Sequence, residues 1–199
     1  MRTVLLAGWI VSAGAALLPA QGDAPRVTTE AACAASLGAG LESRRTFCDV
    51  LIGATGADSV AMSVPPHTGA STLLFDLHNR FTVPVADASA AEAFARHEAI
   101  VSVVTPAGDV LGRAAVVREF RTMDDLFDRL GGGGRPGGMK GVAPGLPEPA
   151  RFIIPVGVQA VGIVGSRLTV LTPANGLQTF DTPGRPVALI SHLRIEYQR

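Results

Sequence analysis

The stretch S-T-L-L-F-D-L-H-N-R-F, residues 71–81, alternates between apolar and polar side chains. Two sets of side chains fall on opposite sides of an extended chain: Leu73, Phe75, Leu77 and Phe81, and Thr72, Asp76, His78 and Arg80. A period of two residues is typical of a half-buried β-strand, because successive side chains of a strand point to opposite faces. We therefore predict a strand with one face in the core and the other in water.

Similar patterns recur along most of the chain. Runs rich in Val, Ile, Leu and Phe predict further strands at residues 47–53, 59–65, 96–105, 110–121, 151–154, 160–164, 167–171, 177–180 and 187–197. The pair Gly165-Ser166 fits a type II′ hairpin turn between two of them. About nine or ten short strands predict an all-β fold, an antiparallel β-sandwich of Greek-key or jelly-roll type. A small closed β-barrel is the alternative.

Two segments depart from the strand pattern. In residues 122–130, Thr122 and Asp125 resemble a capping box, and apolar residues recur at helical spacing, which predicts one short α-helix. Residues 131–149 contain eight glycines and four prolines and are predicted to form an irregular loop. The G-x-G-x-x-G at residues 132–137 does not follow a strand and contains Pro136, so we assign it no phosphate-binding role.

The N-terminal region predicts export. Residues 4–18 form an apolar run that is too short to span a membrane, and polarity returns at residues 21–23, so we predict a signal peptide at residues 1–20. Residues 21–30 are polar and predict a flexible arm. Residues 31–199 are then one β-sandwich domain in a periplasmic or extracellular protein.

The sequence contains two cysteines, Cys33 and Cys48. In an exported chain they predict one disulfide bond, which stabilises the fold by roughly 3 kcal/mol through closure of a short loop. Two separate buried thiols are the alternative. There is no C-x-x-C motif, so the spacing does not indicate a redox or zinc site.

The charge balance disfavours several classes of partner. The chain has 17 basic and 17 acidic side chains, and removal of residues 1–20 leaves a net charge of about −1 because they contain Arg2 and no acid. Nucleic acids and anionic lipid surfaces attract concentrated positive charge, so we predict neither as a partner, and we predict no membrane span. The single Trp9 lies in the predicted signal peptide, and Tyr197 is the one tyrosine, which weakens a carbohydrate-binding interpretation.

The polar side of residues 71–81 is the candidate site. Asp76, His78 and Arg80 offer an acceptor, a switchable donor and a fixed donor on one strand face, enough to orient a polar ligand. The alternative is a solvated face on which Asp76 and Arg80 form a weak surface pair. A metal ion would require a third ligand, and the other histidines show no spacing that supplies one, so we predict no metal site and no cofactor.

Two functions remain open from the sequence. We predict a non-catalytic binding or interaction module whose ligand is an unknown protein or small molecule, because no catalytic motif occurs in the chain. The alternative is a hydrolase with a His/Asp or metal-assisted site around Asp76 and His78. Serine triads recur in unrelated chain orders, so the sequence leaves that alternative open.

Overall fold

The computed structural model describes residues 25–53, 58–82, 94–131 and 139–198. The predicted signal peptide and the glycine motif at 132–137 lie outside these residues. The predicted all-β class is confirmed. The strands are β1 (Arg26–Thr28), β2 (Ala31–Ala32), β3 (Ala35–Ala39), β4 (Thr46–Leu51), β5 (Val60–Ser63), β6 (Thr68–Thr82), β7 (Ala95–Val104), β8 (Val110–Phe120), β9 (Leu126–Gly131), β10 (Met139–Pro144), β11 (Glu148–Ile154), β12 (Ala160–Thr172), β13 (Gly176–Phe180) and β14 (Pro186–Gln198). Among the described residues, no helix is long and apolar enough to cross a membrane.

The strands form two antiparallel sheets. The first has the order β3-β4-β14-β6-β10-β9, with β1 paired to β14 and β11 paired to β6. The second has the order β2-β5-β12-β7-β8, with β13 paired to β12. Their facing surfaces bury the main hydrophobic core, which includes Leu73, Phe75 and Leu77 of β6 and Val101 and Val103 of β7. The apolar side of β6 therefore lies in the core, as the sequence predicts.

The first sheet curls until its outer strands meet, so that it forms a nearly closed barrel. At the seam, the Leu41 N–H donates to the Arg129 carbonyl at 2.9 Å. The fully buried Asp128 carboxylate accepts from the backbone N–H groups of Glu42 and Ser43, each at 3.0 Å, and from the Ser43 hydroxyl. We call the six strands β3-β4-β14-β6-β10-β9 the small barrel; its apolar interior comprises Leu37, Phe47, Phe127, Leu130, Val142 and Leu189.

The predicted helix at residues 122–130 is wrong. Only Met123–Asp125 form a 3-10 turn, whose start is held by the Asp125 carboxylate accepting from the Thr122 N–H at 2.9 Å. The chain then continues as β9, which pairs with β10 and buries Leu130 inside the small barrel. Pairing with β10, the next strand along the chain, outweighs the helical spacing of the apolar residues.

The predicted loop at residues 131–149 is also wrong over most of the part that the structure describes, where residues 145–147 alone are irregular. Met139–Pro144 form β10, and Glu148 begins β11. A Cβ at Gly141 would lie 2.7 Å from a methyl carbon of Leu126, so glycine lets β10 pack closely against that side chain of β9. The glycines that suggest a loop thus include one that a packed strand requires.

The predicted hairpin turn at Gly165-Ser166 is absent. β12 runs without interruption from Ala160 to Thr172, and its pairing with β7 shifts register between Gly165 and Arg167. A Cβ at Gly165 would lie 2.5 Å from a methyl carbon of Val187, so the glycine marks a close contact between the sheets instead of a turn. In the predicted arm at residues 21–30, Arg26–Thr28 form β1 and pair with β14.

Cys33 and Cys48 lie at disulfide distance, with their Cα atoms 5.6 Å apart, as the sequence predicts. Cys48 belongs to β4 and is buried in the main core. The pair therefore ties the segment between β2 and β3 to a central part of the fold.

Candidate binding site at the mouth of the small barrel

Asp76, His78 and Arg80 lie on one face of β6, but this face does not meet water as predicted. It points into the small barrel, because β14 and β10 flank β6 on its two edges and the sheet curls around it. The register places Leu189 beside His78 and Val142 beside Arg80, and both apolar side chains are fully buried. The solvated-face interpretation is therefore wrong for His78 and Arg80, whose side chains are enclosed.

His78 occupies the interior of the small barrel and is 2% exposed. Its Nε2 atom lies 2.9 Å from the hydroxyl oxygen of Ser191, which is equally buried. Its ring lies against Phe47 and Phe127, with centroid distances of 5.3 Å and 5.1 Å. Burial lowers the pKa of His78 to about 4, although the Asp76 carboxylate acts in the opposite direction. The imidazole is thus neutral at neutral pH.

Arg80 forms an ion pair with a residue that the sequence analysis did not single out. Its Nε atom lies 2.8 Å from Oδ1 of Asp49, and both side chains are largely buried. The predicted pair between Asp76 and Arg80 is wrong, because β4 enters the small barrel and brings Asp49 to the guanidinium. The position of Asp49 among the apolar residues of β4 is the sequence feature that could have indicated a buried partner for a basic side chain.

Asp76 lies at the open end of the small barrel. Its Oδ2 atom accepts from Nη1 of Arg45 at 2.7 Å and lies 3.0 Å from Nδ1 of His192. The exposed fractions of these side chains are 21% for Asp76, 23% for Arg45 and 51% for His192. The Arg45 guanidinium also lies 5.1 Å from the centre of the Phe127 ring. We call Arg45, Asp76 and His192 the mouth cluster.

A β-bulge in β14 places His192 in this cluster. The pairing of β14 with β6 shifts register between Ser191 and Arg194, and His192 has a φ of 51°, in the left-handed region. Such a conformation is uncommon for a residue other than glycine, and bulges often redirect a side chain beside a functional site. The strand pattern of residues 187–197 would place Leu189 and Ile195 on one face, but the bulge separates them: Leu189 packs in the small barrel and Ile195 in the main core.

Of the three residues of the mouth cluster, Asp76 is the one that the sequence predicts as a site residue. Arg45 precedes β4 and gives no periodic signal, and His192 was considered only as one of several scattered histidines. The pairing of β6 with β14, which brings Asp76 opposite Ser191, joins positions that are far apart in sequence. No local pattern predicts such a pairing.

The chemistry available at the mouth cluster is hydrogen bonding and charge. Among the residues that the structure describes, no group of three or more His, Cys, Asp or Glu side chains could hold a metal ion. Comparison with protein-family models, with curated proteins and with solved structures finds no match to this chain.

Two buried histidines make the stability depend on pH. Burial also lowers the pKa of His97 to about 4, although a hydrogen bond to the backbone of Arg80 acts in the opposite direction. An unfolded chain protonates histidine with a pKa near 6.5, so below that pH the unfolded state binds more protons than the folded state. Stability is complete above about pH 6.5 and is lost as the pH falls towards 4, at up to about 1.4 kcal/mol per pH unit for each histidine.

We expect urea unfolding to report a lower free energy of unfolding at pH 5 than at pH 7.5. The His78→Asn variant should show about half of this pH dependence, and the double variant with His97→Asn should lose most of it between pH 5 and 6.5. The double variant is the control because it removes both groups and keeps neutral polar side chains. Equal stability of the unmodified protein at the two pH values would contradict the assignment.

Proposed function

We propose that the protein is an exported, non-catalytic binding module that recognises its ligand through the mouth cluster, in the periplasm or outside the cell. The predicted signal peptide supports export. The Cys33–Cys48 pair supports it too, since disulfide bonds persist mainly in oxidising compartments. The polar atoms of Asp76, with Arg45 and His192, supply the recognition.

The observation that carries this proposal is the left-handed conformation of His192 in the β14 bulge. A regular strand would cost less free energy than this conformation, and backbone strain concentrates at sites where it orients functional groups. Here it directs a half-exposed imidazole to the carboxylate of Asp76, which Arg45 also contacts. The cluster offers a ligand donors and an acceptor in fixed positions.

The deeper polar groups favour a role in structure. His78 contacts Ser191, and Arg80 contacts Asp49, so these four side chains use one another as partners inside the small barrel. Polar groups that are buried without a partner are costly, and these pairs remove much of that cost. Of the three site residues predicted from the sequence, this proposal assigns ligand contact to Asp76 alone and a structural role to His78 and Arg80.

The test is capture of ligands from the exported fraction by the immobilised protein, compared with the double variant Arg45→Ala/His192→Ala. We expect a ligand that the unmodified protein retains and that the double variant binds at least about tenfold more weakly, because two polar contacts are lost. Arg121→Ala is the control, since Arg121 is largely exposed and far from the cluster in its contacts. Circular dichroism checks that each variant folds. Retention of every captured ligand by the double variant would refute the site.

A hydrolase is the second candidate, favoured by one specific contact. Nε2 of His78 lies 2.9 Å from the Ser191 hydroxyl, a distance at which a neutral imidazole can act as general base for a serine nucleophile. Asp76 lies two residues from His78 on the same face of β6, and its charge favours the imidazolium form of His78 that a general base passes through. Against this candidate, Ser191 and His78 are each 2% exposed.

Labelling with a fluorophosphonate probe separates the two candidates. A binding module with a buried Ser191 should remain unlabelled under native conditions at pH 7.5. Labelling that disappears in Ser191→Ala and in His78→Asn would instead establish the hydrolase. Ser36→Ala is the matched control, because Ser36 is an exposed serine of β3 that has no histidine contact among the described residues.

A further inference from the structure

The side of the first sheet that faces away from the main core extends past the mouth cluster, where the small barrel does not cover it. The register places Arg151 of β11, Leu74 of β6 and Arg194 of β14 side by side in one row. The next row contains Ile153, Thr72 and Glu196. We call these six residues the open face. Ile153 is 56% exposed, a high value for a large apolar side chain on a sheet.

The open face carries a positive charge without a partner. Arg194 lies 3.3 Å from Glu196, so those two charges offset one another. Arg151 is exposed, and within the described ranges it forms no ion pair and no hydrogen bond through its side chain. Neighbouring strands are about 4.8 Å apart, so the two arginines of the row are roughly 10 Å apart across Leu74. This arrangement is complementary to an acidic group attached to an apolar body.

β11 is also an edge strand. It pairs with β6 and with no other strand that the structure describes. Proline has no N–H and is confined to strand positions whose N–H would point away from the sheet. Pro149 therefore indicates that Arg151 and Ile153, two and four residues later, direct their backbone groups to the outer edge. Their side chains lie on the open face, beside those same backbone groups.

We propose that the outer edge of β11 binds an acidic peptide in extended conformation, which adds to the first sheet as a further strand. The backbone of Arg151 and Ile153 supplies the hydrogen bonds of strand addition, and side chains on the open face supply specificity. An acidic side chain of the peptide meets the Arg151 guanidinium, and a neighbouring apolar side chain on the same face of the peptide packs on Ile153.

A second copy of this chain is a poor occupant of the same edge. Two β11 strands paired about a two-fold axis at Arg151 would bring two unpaired guanidinium groups together, and like charges on neighbouring strands are destabilising. An acidic partner removes that repulsion. The proposal rests on the protein being a binding module, but it uses a surface separate from the side chains of the mouth cluster.

The test is selection from a displayed library of random eight-residue peptides against the folded protein, followed by fluorescence polarisation with the enriched peptides. We expect enrichment of sequences in which an acidic residue and an apolar, β-branched residue are two positions apart, because that spacing places both side chains on one face of a strand. Arg151→Glu should weaken their binding at least about tenfold, since it replaces a charge-assisted contact with repulsion. Arg113→Glu is the matched control, because Arg113 is an exposed arginine on edge strand β8 of the other sheet. N-methylation of the peptide at alternate backbone positions should also abolish binding.

Three results of the peptide selection would overturn the proposal: no enriched peptide, enriched peptides without an acidic preference, or acidic peptides that bind Arg151→Glu and the unmodified protein equally. A dimer in sedimentation that dissociates in Arg151→Glu would overturn it in favour of a second copy. The double variant Arg45→Ala/His192→Ala should keep peptide binding. If the double variant loses peptide binding and Arg151→Glu keeps it, the peptide site at the β11 edge is refuted and the proposed site at the mouth cluster is retained.

Discussion

The enclosure of β6 on both faces over its second half, from Asp76 to Arg80, is the constraint on which the rest of this structure depends. One face packs Leu73, Phe75 and Leu77 into the core between the two sheets. The other carries Asp76, His78 and Arg80 into the small barrel. Charged and polar side chains removed from water must find partners, and breaking a buried ion pair by removing one member costs about 3–5 kcal/mol. The strands around β6 are positioned to provide those partners.

Two strands on one side of β6 provide these partners. β4 supplies Asp49 to Arg80, and β14 supplies Ser191 to His78. At the seam of the small barrel, hydrogen bonds satisfy the buried carboxylate of Asp128. Burial would raise the pKa of Asp128, but hydrogen bonds from the Ser43 hydroxyl and from nearby backbone N–H groups outweigh it and lower the pKa. The carboxylate therefore stays ionised and holds the turn after β3 against β9.

The sequence predicts the features of this fold that depend on local periodicity. The strand at residues 71–81 and its apolar face are correct, because alternation is a property of the strand itself. The burial of the polar face could not be predicted, because it depends on β9 and β10. The spacing of Met123, Leu126 and Leu130 predicts a helix in place of β9, and the glycine content predicts a loop in place of β10. The bulge at His192 also could not be predicted from alternation. One inserted residue moves every later side chain of β14 to the opposite face of the sheet.

The mouth cluster and the open face both lie where the small barrel stops covering β6. The barrel covers β6 from His78 onwards, whereas Asp76 lies at its rim and Leu74 lies beyond it on the open face. Arg45 and His192 meet Asp76 at that rim, while β11 extends the sheet beside the uncovered half of β6. Both surfaces thus share one long strand as their base, and the buried pairs inside the small barrel keep that strand fixed.

An NMR titration of the His78 ring tests the enclosure of β6 most directly. Long-range proton–nitrogen spectra recorded from pH 8 to pH 3.5, with the His78 signals assigned by their loss in His78→Asn, give the pKa of this side chain. The account predicts a neutral ring through pH 5.5 and a pKa of about 4, because burial in the small barrel disfavours the imidazolium. A midpoint near the ordinary value of 6.5 would show that His78 lies on a solvated strand face, and would contradict the account.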